Sequence, residues 1–454
     1  MVPSSKPQES KVVLVVFLAL LLDLLSFTII LPLFPRLLNF YQQHDTDATS
    51  ILNHLLHWLE GYKQWIGRTS DTKWDTVILG GFIGSLFSLL QFLVSPRLGN
   101  ASDTFGRRKV LLCTMIFNII STAIWLVAQS FSLFLLARIV AGLSEGNVQL
   151  SIAIISDVTS PESRSRNMAL VGIAFATAFT FGPPLGAWFA SIDLSQTWLS
   201  EVVPGLYPYS MAALVGLVLL LIETAYLFVY LPETAAPKQQ HPSQQKDTAT
   251  KGLLQQTGVL VNSIPRLNLI QCLFTFLFSG MEFTLVFLTF DVLDYSHMQQ
   301  GKLLGFMGIL SALIQGGYVR RQKSGGEKSL VLQGMAFGTL GLGCLAVVGM
   351  DISQTSYWLY GGVAFLAMTS GTVVNSLTSL ASLQCQHEKE KGKILGVFRS
   401  FGQLGRACGP LSACTIYWLF GPTLCYTVGA IAMLGLFLVS IVIIPHPAPP
   451  VKLD

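Results

Sequence analysis

Two arginines, Arg399 and Arg406, stand seven residues apart in LGVFRSFGQLGRACGPL, inside a run otherwise apolar enough to cross a bilayer. With Gln403 between them they fall at i, i+4 and i+7, on one face of a helix. A guanidinium is costly in hydrocarbon, so it marks a partner, a wet cavity or a ligand. Its planar fork takes a carboxylate or phosphonate through two parallel hydrogen bonds. Two other apolar runs carry similar stripes. Arg138, Gly142, Glu145 and Gln149 form one, and Gln271, Thr275, Ser279 and Glu282 form the other. Asp23 interrupts the first apolar run. Three polar stripes on hydrophobic helices predict a charged, wet space among them, fit to hold an ionic solute.

Depth along each run, at about 1.5 Å per residue, suggests who meets whom. Asp23, Arg138, Glu282 and Arg406 fall at similar depth. The expected pairs are Asp23 with Arg138 and Glu282 with Arg406, and fixed ion pairs holding helices together are the competing reading. Arg399 has no acid of its own half at its depth. Either Glu145 reaches it across the cavity as a gate, or Arg399 is free for an anion. Glu223 reads as a helix-packing or linker-side residue. All seven histidines fall outside the span interiors. A proton-coupling group would therefore be a carboxyl whose protonated form burial favours. Glu282 is the first choice and Asp23 the second, because Arg138 would clamp it.

The elements that must position these residues follow from composition. Of 454 residues, 52% are hydrophobic and 11% charged, against about 25% charged in soluble domains. Apolar runs fall near 12–35, 76–98, 109–129, 131–156, 166–190 and 209–231, then near 266–290, 299–319, 328–349, 355–380, 393–416 and 421–444. Each reaches the roughly 20 residues a spanning helix needs. The expected fold is all-α and integral to the membrane, with twelve transmembrane helices in two pseudo-symmetric six-helix bundles. The first bundle takes residues 12–231 with a long outer loop at 36–75, and the second takes 266–444. A Pro-, Gln- and Ser-rich linker at 232–265 joins them, flanked by a terminus at 1–11 and a tail at 445–454. Placing both termini in the cytoplasm puts 20 of the 28 lysines and arginines inside. In the outer loop, NHLLHWLEGYKQWIG spaces leucines for a short helix that lies on the membrane surface or caps the outer mouth.

Several chemistries drop out. Gly142-Leu143-Ser144-Glu145-Gly146 matches a nucleophile elbow in letters but lies within a span, with no histidine to act as base. Its glycines read as helix-packing residues. No phosphate-binding loop is present, and the seven cysteines suggest neither a disulfide framework nor a metal site. His54 and His57 alone are a weak metal signal. No enzyme activity, cofactor, metal or nucleic-acid partner is expected.

The loop GNASDTFGRRKVLL carries Gly99, Asp103, Gly106 and the basic run Arg107, Arg108 and Lys109. Asp103 can accept from the amides of the next helix or from an arginine. This order resembles the signature loop of the major facilitator superfamily. Four further stretches agree: Asp23 with Pro32 and Pro35, LARIVAGLSEGN around Arg138, SDVTSPESRSR with Asp157 and Arg164, and GPPLG at 182–186. They resemble the superfamily's drug:proton antiporters, although Ala187 replaces the second glycine of the usual final pair. The second bundle echoes GPPLG in Gly409-Pro410-Leu411, and LPET closes span six at 231–234. The resemblance implies alternating access around a central cavity. It implies an inner gate in which Asp103 and Arg107 pair with Asp157. It also implies hinges at Gly182, Pro183 and Gly186, and at Gly409 and Pro410.

The reading is a secondary active transporter for a small amphipathic organic anion, coupled to protons and acting as a monomer in a plasma or organelle bilayer. Arg399, Arg406, Gln403, Arg138, Glu145 and Gln149 would contact the substrate. A cation, polyamine or drug:proton exporter built on the acids is the first alternative. A non-transporting receptor or scaffold with the same fold is the second.

Overall fold

In hydrocarbon a chain must satisfy its own backbone N–H and C=O groups, and a helix does so within one segment. The computed structural model describes residues 6–30, 33–45, 50–66, 73–234, 263–295, 297–322, 325–350, 355–384 and 391–444. Most of the linker and the whole tail lie outside the described residues, as do the first five residues and Cys385. The helices are α1 (Lys6–Ile29), α2 (Phe34–His44), α3 (Ile51–Ile66), α4 (Lys73–Phe105), α5 (Arg107–Leu126), α6 (Phe131–Ser144), α7 (Asn147–Val158) and α8 (Pro161–Phe189). There follow α9 (Leu199–Val202), α10 (Ser210–Tyr230), α11 (Ser263–Asp291), α12 (His297–Leu313), α13 (Glu327–Val348), α14 (Thr355–Leu383) and α15 (Lys391–Ile443).

Among the described residues, 11 helical stretches are long and apolar enough to cross a membrane. The twelfth is the first part of α15, which the stripe of Arg399, Gln403 and Arg406 makes more polar. Gly421 divides α15 with φ 84° and ψ 168°, a left-handed φ that suits glycine, so two spans follow each other across one kink. The fold is the expected twelve-helix membrane architecture in two bundles.

Within the first bundle, α1 packs on α8 and α10, and α5 packs on α6 and α10. In the second, α11 packs on α15, and α13 on α14 and α15. Between the bundles, α4 runs along α15 and α8 along α12. Glycine lets the first of these pairs approach. A Cβ on Gly99 would land on the carbonyl of Gly392, and one on Gly396 would lie 2.6 Å from the Ser95 oxygen. Ser400 Oγ adds a bond to the Phe92 carbonyl at 2.7 Å.

Span four departs from the expected single run. It breaks at Glu145 and Gly146 into α6 and α7, with Glu145 extended at ψ 91°. Gly146 sits against α4, where a Cβ would lie 2.8 Å from Leu98 Cδ1. The stripe that joins Arg138 and Gly142 to Glu145 and Gln149 is therefore cut in the middle. Span eight loosens similarly, passing from α12 into a π-helical turn over Ile314–Tyr318. Such turns widen the backbone ladder and recur at functional sites. In the outer loop α3 is the expected short helix; Leu52 and Leu59 are buried, and its Tyr62 hydroxyl reaches Thr415 of the second bundle at 2.9 Å, which agrees with a cap over the outer mouth.

Candidate functional site

The two bundles are joined at the end that carries Asp103 and Arg107. Arg107 Nη1 meets Asp103 Oδ1 at 2.6 Å, and its Nε donates to Asp157 Oδ2 at 2.9 Å. Asp103 also caps the second bundle, accepting from the amides of Gly392 at 2.9 Å and Lys393 at 2.7 Å. A carboxylate suits the first turn of a helix, where amides lack partners and the dipole is positive. Gly392 has to be small here, because a Cβ would run into Arg107 Nη1. Lys391 Nζ stands 4.0 Å from Asp157 Oδ1, and Ser156 and Ser382 share a hydrogen bond of 2.6 Å. The three gate residues thus come together, with α15 as a fourth party. Of the two roles open to Asp103, the arginine is realised and the α5 amides are not. Glu233 takes those amides, accepting from Arg107 N at 2.8 Å and Arg108 N at 3.3 Å. The LPET motif was the available signal for it.

A second cluster lies deeper. Asn147 is the first residue of α7, and the break before it turns its amide toward α1. Its Nδ2 donates to Asp23 Oδ1 at 2.7 Å, while its Oδ1 accepts from Thr114 at 3.1 Å. Asn147 therefore stands where Arg138 was expected. The Arg138 guanidinium lies over the Phe87 ring, 4.7 Å from its centroid, and the carboxylate whose charge acts on it is Glu145. Periodicity could not anticipate this, because the break changes the rotation between α6 and α7.

Arg399 belongs to the same cluster. The charges near enough to act on it are Glu145, Arg406 and Asp23. Glu145 acts on Arg399 through its charge and not through a salt bridge, so both alternatives for Arg399 stay open. Glu223 comes into the cluster as well. It is buried on α10, and the charges acting on it are Asp23 and Glu145. Its burial agrees with a helix-packing place, and that place lies within the field of the other acids. The signal was a lone acid inside an apolar run.

Arg406 meets Glu282 as expected, with Nη2 to Oε2 at 3.5 Å and the side chains 41% and 33% exposed. The arginine stripe is aimed by packing on either side of it. Gly405 and Gly409 press on the carbonyls of Cys272 and Phe276 of α11, and Gly396 presses on α4. At about 100° per residue, the stripe of Arg399, Gln403 and Arg406 falls between those two faces. Gln149 is 2% exposed; its Nε2 donates to the Ser95 carbonyl at 3.0 Å, tying α7 to α4, while its Oε1 is buried with no hydrogen-bond partner among the described residues.

At the expected hinges the structure places close packing. A Cβ on Gly182 would strike Thr28 Oγ1, and one on Gly186 would strike the Ile29 carbonyl. Helix α8 continues through Pro183 and Pro184, and α15 through Pro410.

The Major Facilitator Superfamily model matches residues 16–410. The chain belongs to the major facilitator superfamily. It is a multi-pass membrane transporter of that superfamily and not an enzyme. Its relatives include Major facilitator superfamily domain-containing protein 10 of Mus musculus, 35% identical over 97% of this chain and 94% of the relative. The class C tetracycline resistance protein of Escherichia coli is 27% identical over 74% of this chain and 79% of its own length. The crystal structure of the human organic anion transporter MFSD10 (TETRAN) superposes with a TM-score of 0.81 at 35% identity, covering 96% of this chain and 100% of that one. The proton:xylose symporter XylE, at 13% identity, shares the fold with a TM-score of 0.72 over 96% of each chain.

Proposed function

We propose that the protein is a secondary active transporter that moves a small amphipathic organic anion by alternating access, with proton coupling. The observation that carries this is the position of Arg399. It stands on the second bundle, on the stripe between the faces packed against α4 and α11, and answers to Glu145 of the first bundle. A substrate carboxylate on that guanidinium would compete with the charge of Glu145, so anion binding and the attraction between bundles draw on one cation. The relative described as a human organic anion transporter agrees with this choice of solute.

In this reading Arg399, Arg406, Gln403, Arg138 and Glu145 receive the substrate. Gln149 is left out of that set because it is 2% exposed and its Nε2 is held by Ser95. Glu282 and Asp23 are the coupling carboxyls. Asp103, Arg107 and Asp157 latch the cytoplasmic side, and both termini lie in the cytoplasm. The latch must stay within a few kcal/mol of its open state, or the carrier would stop in one conformation. Gly182, Pro183, Gly186, Gly409 and Pro410 absorb the bending between states. A single chain in the bilayer suffices.

The test is flux in liposomes containing purified protein, with 1-naphthylacetate as anionic probe and a quaternary ammonium as cationic probe. Wild type should carry the anion, faster under an imposed proton gradient. Arg399→Ala should abolish that flux, and Arg399→Lys should restore part of it. Cation flux that survives Arg399→Ala, with no anion flux in wild type, would overturn the anion reading.

A further inference from the structure

The acids and bases of the deep cluster do not balance. Asp23, Glu145 and Glu223 are linked by mutual electrostatic interaction, and Arg399 and Arg138 are the guanidiniums that act within that group. Three carboxyls meet two guanidiniums. Arg406 is engaged by Glu282 at 3.5 Å. One carboxyl is left over, and an uncompensated charge in the core of a bundle is costly. A bound proton removes it.

Geometry indicates which carboxyl holds the proton. Asp23 accepts from Asn147 at 2.7 Å and feels the attraction of Arg399. Glu145 feels both arginines. Glu223 has neither: the charges acting on it are the other two acids. It is 1% exposed, and its Oε2 is buried with no hydrogen-bond partner. An unpartnered hydroxyl is far cheaper there than an unpartnered carboxylate oxygen.

The register of α1 against α10 places Glu223 beside Asp23. Ser26 Oγ donates to the Gly216 carbonyl at 3.1 Å, which pins the two antiparallel helices. Asp23 lies three residues from Ser26 toward the start of α1, and Glu223 lies seven from Gly216 toward the end of α10. Both displacements run the same way, so the carboxyls differ in depth by about 6 Å, within reach of two side chains. The other helices packed on α10 bring no charge to this level. In α5 and α8 the charged residues are confined to the first turns. From the break between α6 and α7 comes Glu145, and beyond it stand Arg138 and Arg399.

We propose that Glu223 holds a proton in the resting protein and forms, with Asp23, the proton site of the first bundle. When an anion engages Arg399, Asp23 loses the attraction of that cation. The proton on Glu223 then lies next to a bare carboxylate. Glu223 keeps that proton, because ionising it would leave an unpartnered carboxylate in the core, and Asp23 takes up a second proton from solvent, with charge and atoms conserved. This deepens the coupling role given to Asp23 above and rests on that reading.

Infrared spectroscopy of the purified full chain in lipid nanodiscs tests the resting proton without a transported ligand. At about pH 7, where an ordinary glutamate is ionised, wild type should show the carbonyl stretch of a protonated carboxylic acid, shifting in heavy water. Glu223→Gln should lose that band, Glu223→Asp should keep it at a moved frequency, and Asp23→Asn should perturb it. Glu282→Gln should leave it unchanged. No band in wild type, a band that survives Glu223→Gln, or one lost in Glu282→Gln would overturn the proposal. The Glu223→Asp arm covers the case in which the glutamine variant does not fold, and a missing band there counts against the site. Proton-driven flux in liposomes is a separate measurement. Its absence would end the coupling reading while leaving the resting proton on Glu223 to stand or fall by the spectrum.

Discussion

Asp103 of the first bundle accepts the backbone N–H of Gly392 in the second at 2.9 Å, and the two residues lie 289 positions apart in the chain. This bond joins the halves by capping a helix, which costs no side chain on the partner. Any parting of the bundles at this end would have to break it. The carboxylate also holds Arg107, so one group serves both the gate arginine and the second bundle.

Asp103→Asn should therefore loosen this end. A lost charge-assisted hydrogen bond is worth about 1.5–3 kcal/mol, or roughly ten- to a hundredfold in the equilibrium between joined and parted bundles. Ser382 is fully buried at the junction and bonds to Ser156. A Ser382→Cys probe, in a background without other reactive thiols, should be labelled at least several-fold faster when Asp103→Asn is added. Equal labelling rates would count against the latch.

Gly99→Val should act more severely, and for a steric reason. Its Cβ would occupy the place of the Gly392 carbonyl, which is backbone and cannot rotate away. Overpacking of this kind costs about 1–3 kcal/mol. The joined state should lose population, seen as rapid labelling of the same probe and a lowered melting temperature. Normal closure in Gly99→Val would mean that α4 and α15 do not need this approach.

Gln149→Leu separates a packing role from a substrate role. Removing the amide that donates to Ser95 should cost about 1 kcal/mol of stability. Probe affinity, measured by thermal shift, should stay within about twofold of wild type, a change of less than 0.5 kcal/mol. A tenfold loss of affinity would return Gln149 to the substrate site.

The Arg406–Glu282 pair should contribute little to stability. At 3.5 Å and with both side chains partly exposed, its coupling in a double-mutant cycle should be below about 1 kcal/mol. Arg406→Gln and Glu282→Gln should each melt close to wild type. A coupling of several kcal/mol would make the pair a structural clamp.

Much of the molecule is legible along the chain. The apolar runs, with their six-plus-six spacing, specify twelve helices, because hydrocarbon leaves a backbone no other way to satisfy its polar groups. Intervals of three and four residues place Arg399, Gln403 and Arg406 on one face, and the signature loop marks Asp103 and Arg107. Glu282 with Arg406 follows from depth alone, since both helices are regular there.

What the chain order leaves open lies where regularity fails or where bundles meet. Periodicity assumes an unbroken helix, and the break at Glu145 and Gly146 rotates α7 so that Asn147 reaches Asp23 and Gln149 reaches Ser95. The stacking of Arg138 on Phe87, the nearness of the Glu145 charge to Arg399 and the seat of Glu223 among the acids depend on which helices touch. That choice is made by close contacts such as Gly99 on Gly392 and Ser26 on Gly216. The sequence by itself determined the helices, their stripes and the residues able to carry charge through a membrane. Tertiary packing decided which charges face each other, because partners are set by the rotation and register of neighbouring helices.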